Sequence, residues 1–149
     1  MIVSHKTDYA LRAVFELAKR FGQRPAKIAK IAEEQAIPQR FLEAILSQLK
    51  QAGFLESRRG NEGGYLLTRE PERISVGDVI RPMQGDTSPV DCAAKGSKRR
   101  CPLHGDCIFL PMWERVEAAI ARVYDGTTFQ ALLAEEKKRS ERYVPSYSI

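Results

Sequence analysis

Cys92, Cys101 and Cys107 are the only three cysteines of the chain, and they share one short stretch. Lys95, Lys98, Arg99 and Arg100 stand between the first and the second. Pro102, Leu103, His104, Gly105 and Asp106 stand between the second and the third. A cysteine is ordinarily a small buried hydrophobe. A stretch this polar cannot bury three of them. Three thiols cannot all pair with one another in disulfides, and they are one short of a four-thiolate cage. The pattern points to ligation of a metal or cluster, or to a reactive thiol switch. The basic neighbours favour the thiolate, which is both the ligating and the nucleophilic form. With His104 the three also make a donor set for a tetrahedral zinc. No Cys-X-X-Cys motif and no catalytic His/Asp pairing accompanies them, so an enzyme is not expected.

The composition narrows the partners. Of 149 residues, 43% are hydrophobic and 29% charged, ordinary values for a globular protein with its own core. The formal charge of +5 favours a polyanion, most simply nucleic acid. No apolar run approaches the roughly 20 residues of a membrane span. Met1 to Lys6 lack the apolar core of a signal peptide. A cytoplasmic protein with no membrane partner is expected, and in that compartment structural disulfides are rare.

Several elements must position the cysteine stretch. Apolar residues recur at helical spacing from Thr7 to Phe21 (Ala10, Leu11, Val14, Phe15, Leu17, Ala18, Phe21), and Gly22 closes that helix. A second helix is predicted over Ala26 to Gln35, carrying Ile28, Ile31 and Ala32. After a tight break at Ala36 and Ile37, Pro38 opens a third that runs to about Ala52. Phe41, Leu42, Ile45, Leu46 and Leu49 are expected on its inner face. Phe54–Glu56 and Tyr65–Thr68 read as strands around the turn Arg58-Arg59-Gly60-Asn61-Glu62-Gly63-Gly64, too glycine-rich for a helix. Ser75-Val76-Gly77-Asp78 fits a capping box that opens a short helix through Val79, Ile80 and Met83. Beyond the cysteines, a long helix spans about Pro111 to Tyr124, with an apolar stripe through Met112, Trp113, Val116, Ala119, Ile120 and Val123. Thr127 or Thr128 caps a shorter helix through Phe129, Leu132 and Leu133. From Lys137 onward a frayed tail is expected.

Helix, break, helix and hairpin is the order of a winged helix-turn-helix. The fold class is therefore mainly α with a small β-hairpin wing. In such a motif the second helix of the pair enters the major groove. Its surface positions are Gln39, Arg40, Glu43 and Ser47, with Gln48 beside them. Gln and Arg hydrogen-bond adenine and guanine edges, and Glu accepts from cytosine N4. Arg58 and Arg59 sit on the wing beside Gly60, where an arginine can enter a narrow minor groove. Lys27 and Lys30 are expected to face phosphates.

The runs Thr7-Asp8-Tyr9-Ala10-Leu11-Arg12, Phe41-Leu42-Glu43, Arg58-Arg59-Gly60 with Gly63-Gly64-Tyr65, and Ser75-Val76-Gly77-Asp78-Val79-Ile80 resemble those of the IscR/NsrR-type winged-helix regulators. The resemblance extends over Met1 to Leu133. It implies a homodimer on a palindromic operator in double-stranded DNA, with the long helix through Trp113, Val116, Ile120 and Val123 used for dimerisation. It also implies an iron–sulfur cluster, 4Fe-4S or 2Fe-2S, held by Cys92, Cys101 and Cys107. The gap between Cys92 and Cys101 is longer than in the best-known cluster-binding relatives. In nitric-oxide-sensing relatives an aspartate near the start of the partner's first helix supplies the fourth ligand, and Asp8 stands at the matching place. In iron–sulfur-biogenesis regulators the fourth ligand is a histidine three residues after the last cysteine. Here that position is Leu110, so this carry-over fails, and His104 within the loop and His5 are the candidate substitutes.

The expected organisation is a winged helix-turn-helix domain over 1–85, a cysteine-bearing sensor loop over 86–110, a dimerisation helix and short helix over 111–136, and a flexible tail over 137–149. The function read from it is a homodimeric transcription regulator that senses redox, nitric oxide or iron status through the loop cysteines. The alternatives are a metal-free thiol-redox regulator and a zinc-stabilised protein-interaction module.

Overall fold

In a computed structural model of the chain, which describes residues 3–94, 96, 101–103 and 105–142, six α-helices and one two-stranded hairpin follow one another. Helix α1 covers His5–Lys19, α2 Ile28–Gln35 and α3 Gln39–Gln51. Strands β1, Leu55–Arg58, and β2, Gly64–Leu67, form the wing. A 3₁₀ turn at Pro71–Arg73 leads into α4, Val76–Gln84. Helices α5, Leu110–Gly126, and α6, Phe129–Arg142, complete the chain. The mainly α architecture with a hairpin wing is the one read from the sequence.

Helix α1 is the central post. The Ser4 hydroxyl accepts from the Thr7 amide at 3.1 Å and caps its start. Ala10, Ala13, Val14, Leu17 and Ala18 line its buried stripe. Against that stripe pack α2, α3, α4 and α6. Leu42, Ile45, Leu46 and Leu49 bring the inner face of α3 into the same core. One charged group is enclosed there. The Glu16 carboxylate accepts from Arg20 Nε at 2.8 Å and from Gln35 Nε2 at 2.9 Å, so its burial is compensated. Arg12 donates to the Gln35 carbonyl as well. These contacts fasten α1 to the end of α2, where the chain must turn. Ala36 makes that turn in the left-handed region, at φ 49°, a conformation that costs a non-glycine residue roughly 1–2 kcal/mol.

The wing is an antiparallel pair in the register Leu55↔Leu67 to Arg58↔Gly64. It lies one to two residues later at its first strand than the sequence predicts. Phe54 is buried ahead of the strand, and its carbonyl accepts from the Thr68 amide at 3.0 Å. A third segment joins the hairpin. The amides of Ala26 and Tyr65 exchange hydrogen bonds at 2.9 and 2.8 Å, so residues up to Ala26 serve as a bridge and α2 begins only at Ile28. At Gly64 (φ 149°) a Cβ would stand 2.4 Å from the Ala26 carbonyl oxygen, and only glycine permits this approach.

The capping box at α4 is present in both directions. The Asp78 amide donates to the Ser75 hydroxyl at 3.1 Å and the Ser75 amide to the Asp78 carboxylate at 2.9 Å. The corner between α5 and α6 docks beside it through Val76 N to Thr127 O at 2.8 Å and Phe129 N to Ile74 O at 3.0 Å. Phe129, 1% exposed, enters the shared core. Helix α6 then runs on to Arg142, so residues 137–142, expected as part of a frayed tail, are helical. Glu135 pairs with Arg139 at 3.2 Å along the helix, and Glu136 pairs with Lys19 of α1 at 3.2 Å. The rest of the expected tail, 143–149, lies outside the described residues. No helix among the described residues is long and apolar enough to cross a membrane.

Candidate nucleic-acid interface and cysteine loop

Gln39, Arg40, Glu43 and Ser47 are exposed together on the outer face of α3. The inner stripe at Leu42, Ile45, Leu46 and Leu49 orients that face, because a helix with one buried side must present the other. Gln48 is half-buried and donates to the Pro82 carbonyl at 3.1 Å, so it braces α3 against α4. Phe41, expected inside, is 46% exposed. It stands at the edge of the apolar stripe, and the Arg40 guanidinium lies over its ring at 4.7 Å. With His5, Lys6, Tyr9, Ala44 and Ile45 it lines a cleft of 490 Å³ between α1 and α3. Phe21, also expected inside, is 42% exposed beyond the end of α1.

The wing carries Arg58 and Arg59 at its first turn, both exposed. Arg58 pairs with Glu56 at 3.3 Å. Gly60 adopts φ 99° with open space around its Cα, leaving bare backbone beside Arg59. Lys27 is exposed at the start of α2. Lys30, expected to face phosphates, is engaged within α2. A hydrogen bond to Glu34, and then the charges of Glu33 and Glu34, hold its ammonium above the ordinary lysine range. The same pairing lowers the Glu34 carboxyl.

Cys92, Cys101 and Cys107 are free thiols, each half-buried. By type they fit a thiolate-ligated group. By position they are not gathered in the single chain. Among the described residues no group of three or more His, Cys, Asp or Glu stands close enough to hold a metal ion. Asp8 is exposed in the first turn of α1 and pairs with Arg12 at 3.5 Å. His104 lies outside the described residues. The loop ends in exposed apolar side chains: Leu103 at 63%, Ile108 at 83% and Phe109 at 60%.

Helix α5 has 17 residues and none of them is buried. Trp113, Val116 and Ile120 are half-buried, Met112 is 42% exposed and Val123 63%. The helix touches α4, where Arg81 grips Asp125 with two bonds of 2.6 and 2.8 Å. None of its apolar stripe is fully buried among the described residues.

This arrangement of helices, wing and open long helix defines a DNA-binding regulator of the winged-helix class. The family model Rrf2, described as "Iron-dependent Transcriptional regulator", matches residues 3–135. The chain belongs to the Rrf2 family of transcription regulators, which are not enzymes. It is 33% identical to the HTH-type transcriptional regulator CymR of Bacillus subtilis, over 97% of this chain and 98% of that one. It is 30% identical to the HTH-type transcriptional regulator NsrR of Bacillus licheniformis, over 91% of this chain and 94% of that one. Among solved structures, that of CymR, titled the global cysteine regulator of B. subtilis, superposes with a TM-score of 0.76 at 33% identity, covering 91% of this chain and 98% of that one. IscR of T. potens superposes with a TM-score of 0.75 at 33% identity, covering 93% and 90%. Membership of a family of transcription regulators displaces the reading as a protein-interaction module that leaves DNA alone.

Proposed function

We propose that the chain acts in the cytoplasm as a homodimer on a palindromic operator, and that an iron–sulfur cluster held by Cys92, Cys101 and Cys107 sets its affinity for that operator. The observation that carries the reading is the coexistence of an exposed polar recognition face on α3 with three free thiols in one basic loop. Gln39, Arg40, Glu43 and Ser47 meet base edges in the major groove. Arg59 and Gly60 bring the wing to the minor groove, and Arg58 and Lys27 meet phosphates. Trp113, Val116, Ile120 and Val123 cover one another across the dimer, because an apolar stripe of this length needs a partner.

The three loop thiolates of one copy, with Asp8 of the other, are the residues that would hold the cluster. When bound, it supplies a group whose charge and integrity respond to oxidation, nitric oxide or iron supply. Asp8 must exchange its pairing with Arg12 to serve as a ligand, and that pair, half exposed to water, is weak enough to exchange. An operator affinity that differs between the loaded and the empty loop makes the pair of states a switch.

A second reading has its own observation. The thiols are not gathered into a metal-holding group in the single chain, and CymR is as similar to this chain as IscR is. In that reading the loop acts as a metal-free thiol-redox switch. The visible absorbance of anaerobically purified protein discriminates. Broad visible bands that disappear when any one of the three cysteines is replaced by alanine support the cluster. A colourless protein after anaerobic reconstitution with iron and sulfide overturns it in favour of the thiol switch.

A further inference from the structure

The turn between α1 and α2 reaches the tip of the wing, far from it in sequence. Arg24 Nη1 meets Glu62 Oε2 at 3.0 Å, with the side chains 86% and 79% exposed. Both ends of this contact are held. The exchange of hydrogen bonds between Ala26 and Tyr65 fixes the turn to β2, and the close approach of Gly64 to Ala26 leaves no slack. Gly22, Gln23, Arg24, Pro25, Arg58, Arg59 and Glu62 together enclose an open polar groove. Three of these side chains are arginines and one is a carboxylate. The groove is continuous with Arg59 and Gly60, the part of the wing read above as touching DNA.

We propose that this groove is a second seat for the DNA backbone, in which Arg24 is the phosphate ligand and Glu62 holds that place in the free protein. The inference rests on the DNA-binding reading and extends it to a segment outside the recognition helix and the wing strands. A guanidinium offers a forked set of donors that matches a phosphate as well as a carboxylate. A phosphodiester approaching the wing therefore competes with Glu62 for the same donors. On random sequence the protein is not held in register, and the exchange brings little gain. On an operator the contacts of α3 fix the register, and the phosphate stays opposite Arg24. Glu62 thus acts against indiscriminate binding by a chain of net charge +5.

The test is fluorescence anisotropy of the full chain across a salt series, on a labelled duplex selected from a random library and on a labelled random-sequence duplex. The variants are Arg24→Ala, Glu62→Gln, the two combined, and Arg59→Ala. Arg24 and Glu62 are exposed, so their variants keep the fold. On the selected duplex, Arg24→Ala is expected to lower the slope of log K against log salt by about 0.9 for each copy bound, the loss of one phosphate contact. On the random-sequence duplex, Glu62→Gln is expected to tighten binding by about two- to fivefold, the range of a released exposed pair. It should do so only while Arg24 is present. An unchanged slope for Arg24→Ala, or equal tightening by Glu62→Gln in both backgrounds, overturns the inference. In that case a parent that binds duplex and is weakened by Arg59→Ala leaves the DNA-binding reading intact. A parent that binds neither random duplex nor any duplex selected from a random library overturns both.

Discussion

Arg59 occupies the point where the first wing strand has ended and the glycine turn begins. An arginine there projects from a backbone with no bulk on its following residue, since Gly60 faces open space. Arg58, one residue earlier, is tied to Glu56 across the strand face. Arg59→Ala is therefore expected to weaken operator binding by about 1–3 kcal/mol, the value of a good base-level contact. Anisotropy at fixed salt measures it, and an unchanged Kd removes Arg59 from the interface. At this scale residue type is legible when it breaks a compositional habit. Three cysteines in a basic stretch announce themselves without any fold. Phe41 does not, because periodicity places it on the edge of the stripe shared by Ile45 and Leu49. Only the Arg40 guanidinium over its ring and the cleft against Tyr9 reveal it as a surface residue. Arg24 carries no signal at all in its own neighbourhood, and its role follows from a contact with Glu62 that only the fold creates.

Elements whose ends carry local chemistry were legible. Ser75 and Asp78 spell out the start of α4, and both halves of the cap form. Apolar spacing marks α1 and α3, which supply the largest shares of the core. Elements held by distant partners were not legible to the same degree. Ala26 reads as helical from its neighbours, yet its hydrogen bonds go to Tyr65 on the wing. The last two turns of α6 read as a polar tail, yet Lys19 of α1 anchors Glu136. Helix α5 belongs to a third kind. Its stripe is plain in the sequence, but the described residues of a single chain cover it only in part and bury none of it. If a second copy does so, a charge at its centre breaks the assembly and leaves each copy folded, because α5 contributes no buried residue. Ile120→Glu is expected to shift the protein from dimer to monomer in sedimentation or light scattering, with its helical circular dichroism retained. A dimer that persists would place the subunit contact elsewhere.

The whole molecule divides its tasks in space. The shared core around α1 holds α3, the wing and the α5–α6 corner in one body, so the recognition face and the root of α5 are rigidly related. The described residues of the cysteine loop, between α4 and α5 in the chain, lie outside that core. Ligation in the loop can thus change without unfolding the DNA-binding body. In the proposed dimer, ligation would act on the relation between two recognition helices that must match two half-sites. One titration measures this coupling. A duplex selected from a random library with anaerobically reconstituted protein is titrated with that protein, with the same protein after removal of its iron, and with Cys107→Ala treated identically. Iron removal is expected to change the parent's affinity for the selected duplex by about tenfold or more, within the usual range of a coupling free energy of about 1–3 kcal/mol. Cys107→Ala is expected to match the iron-free parent before and after the treatment. Identical affinities for the loaded and iron-free parent would contradict the coupling.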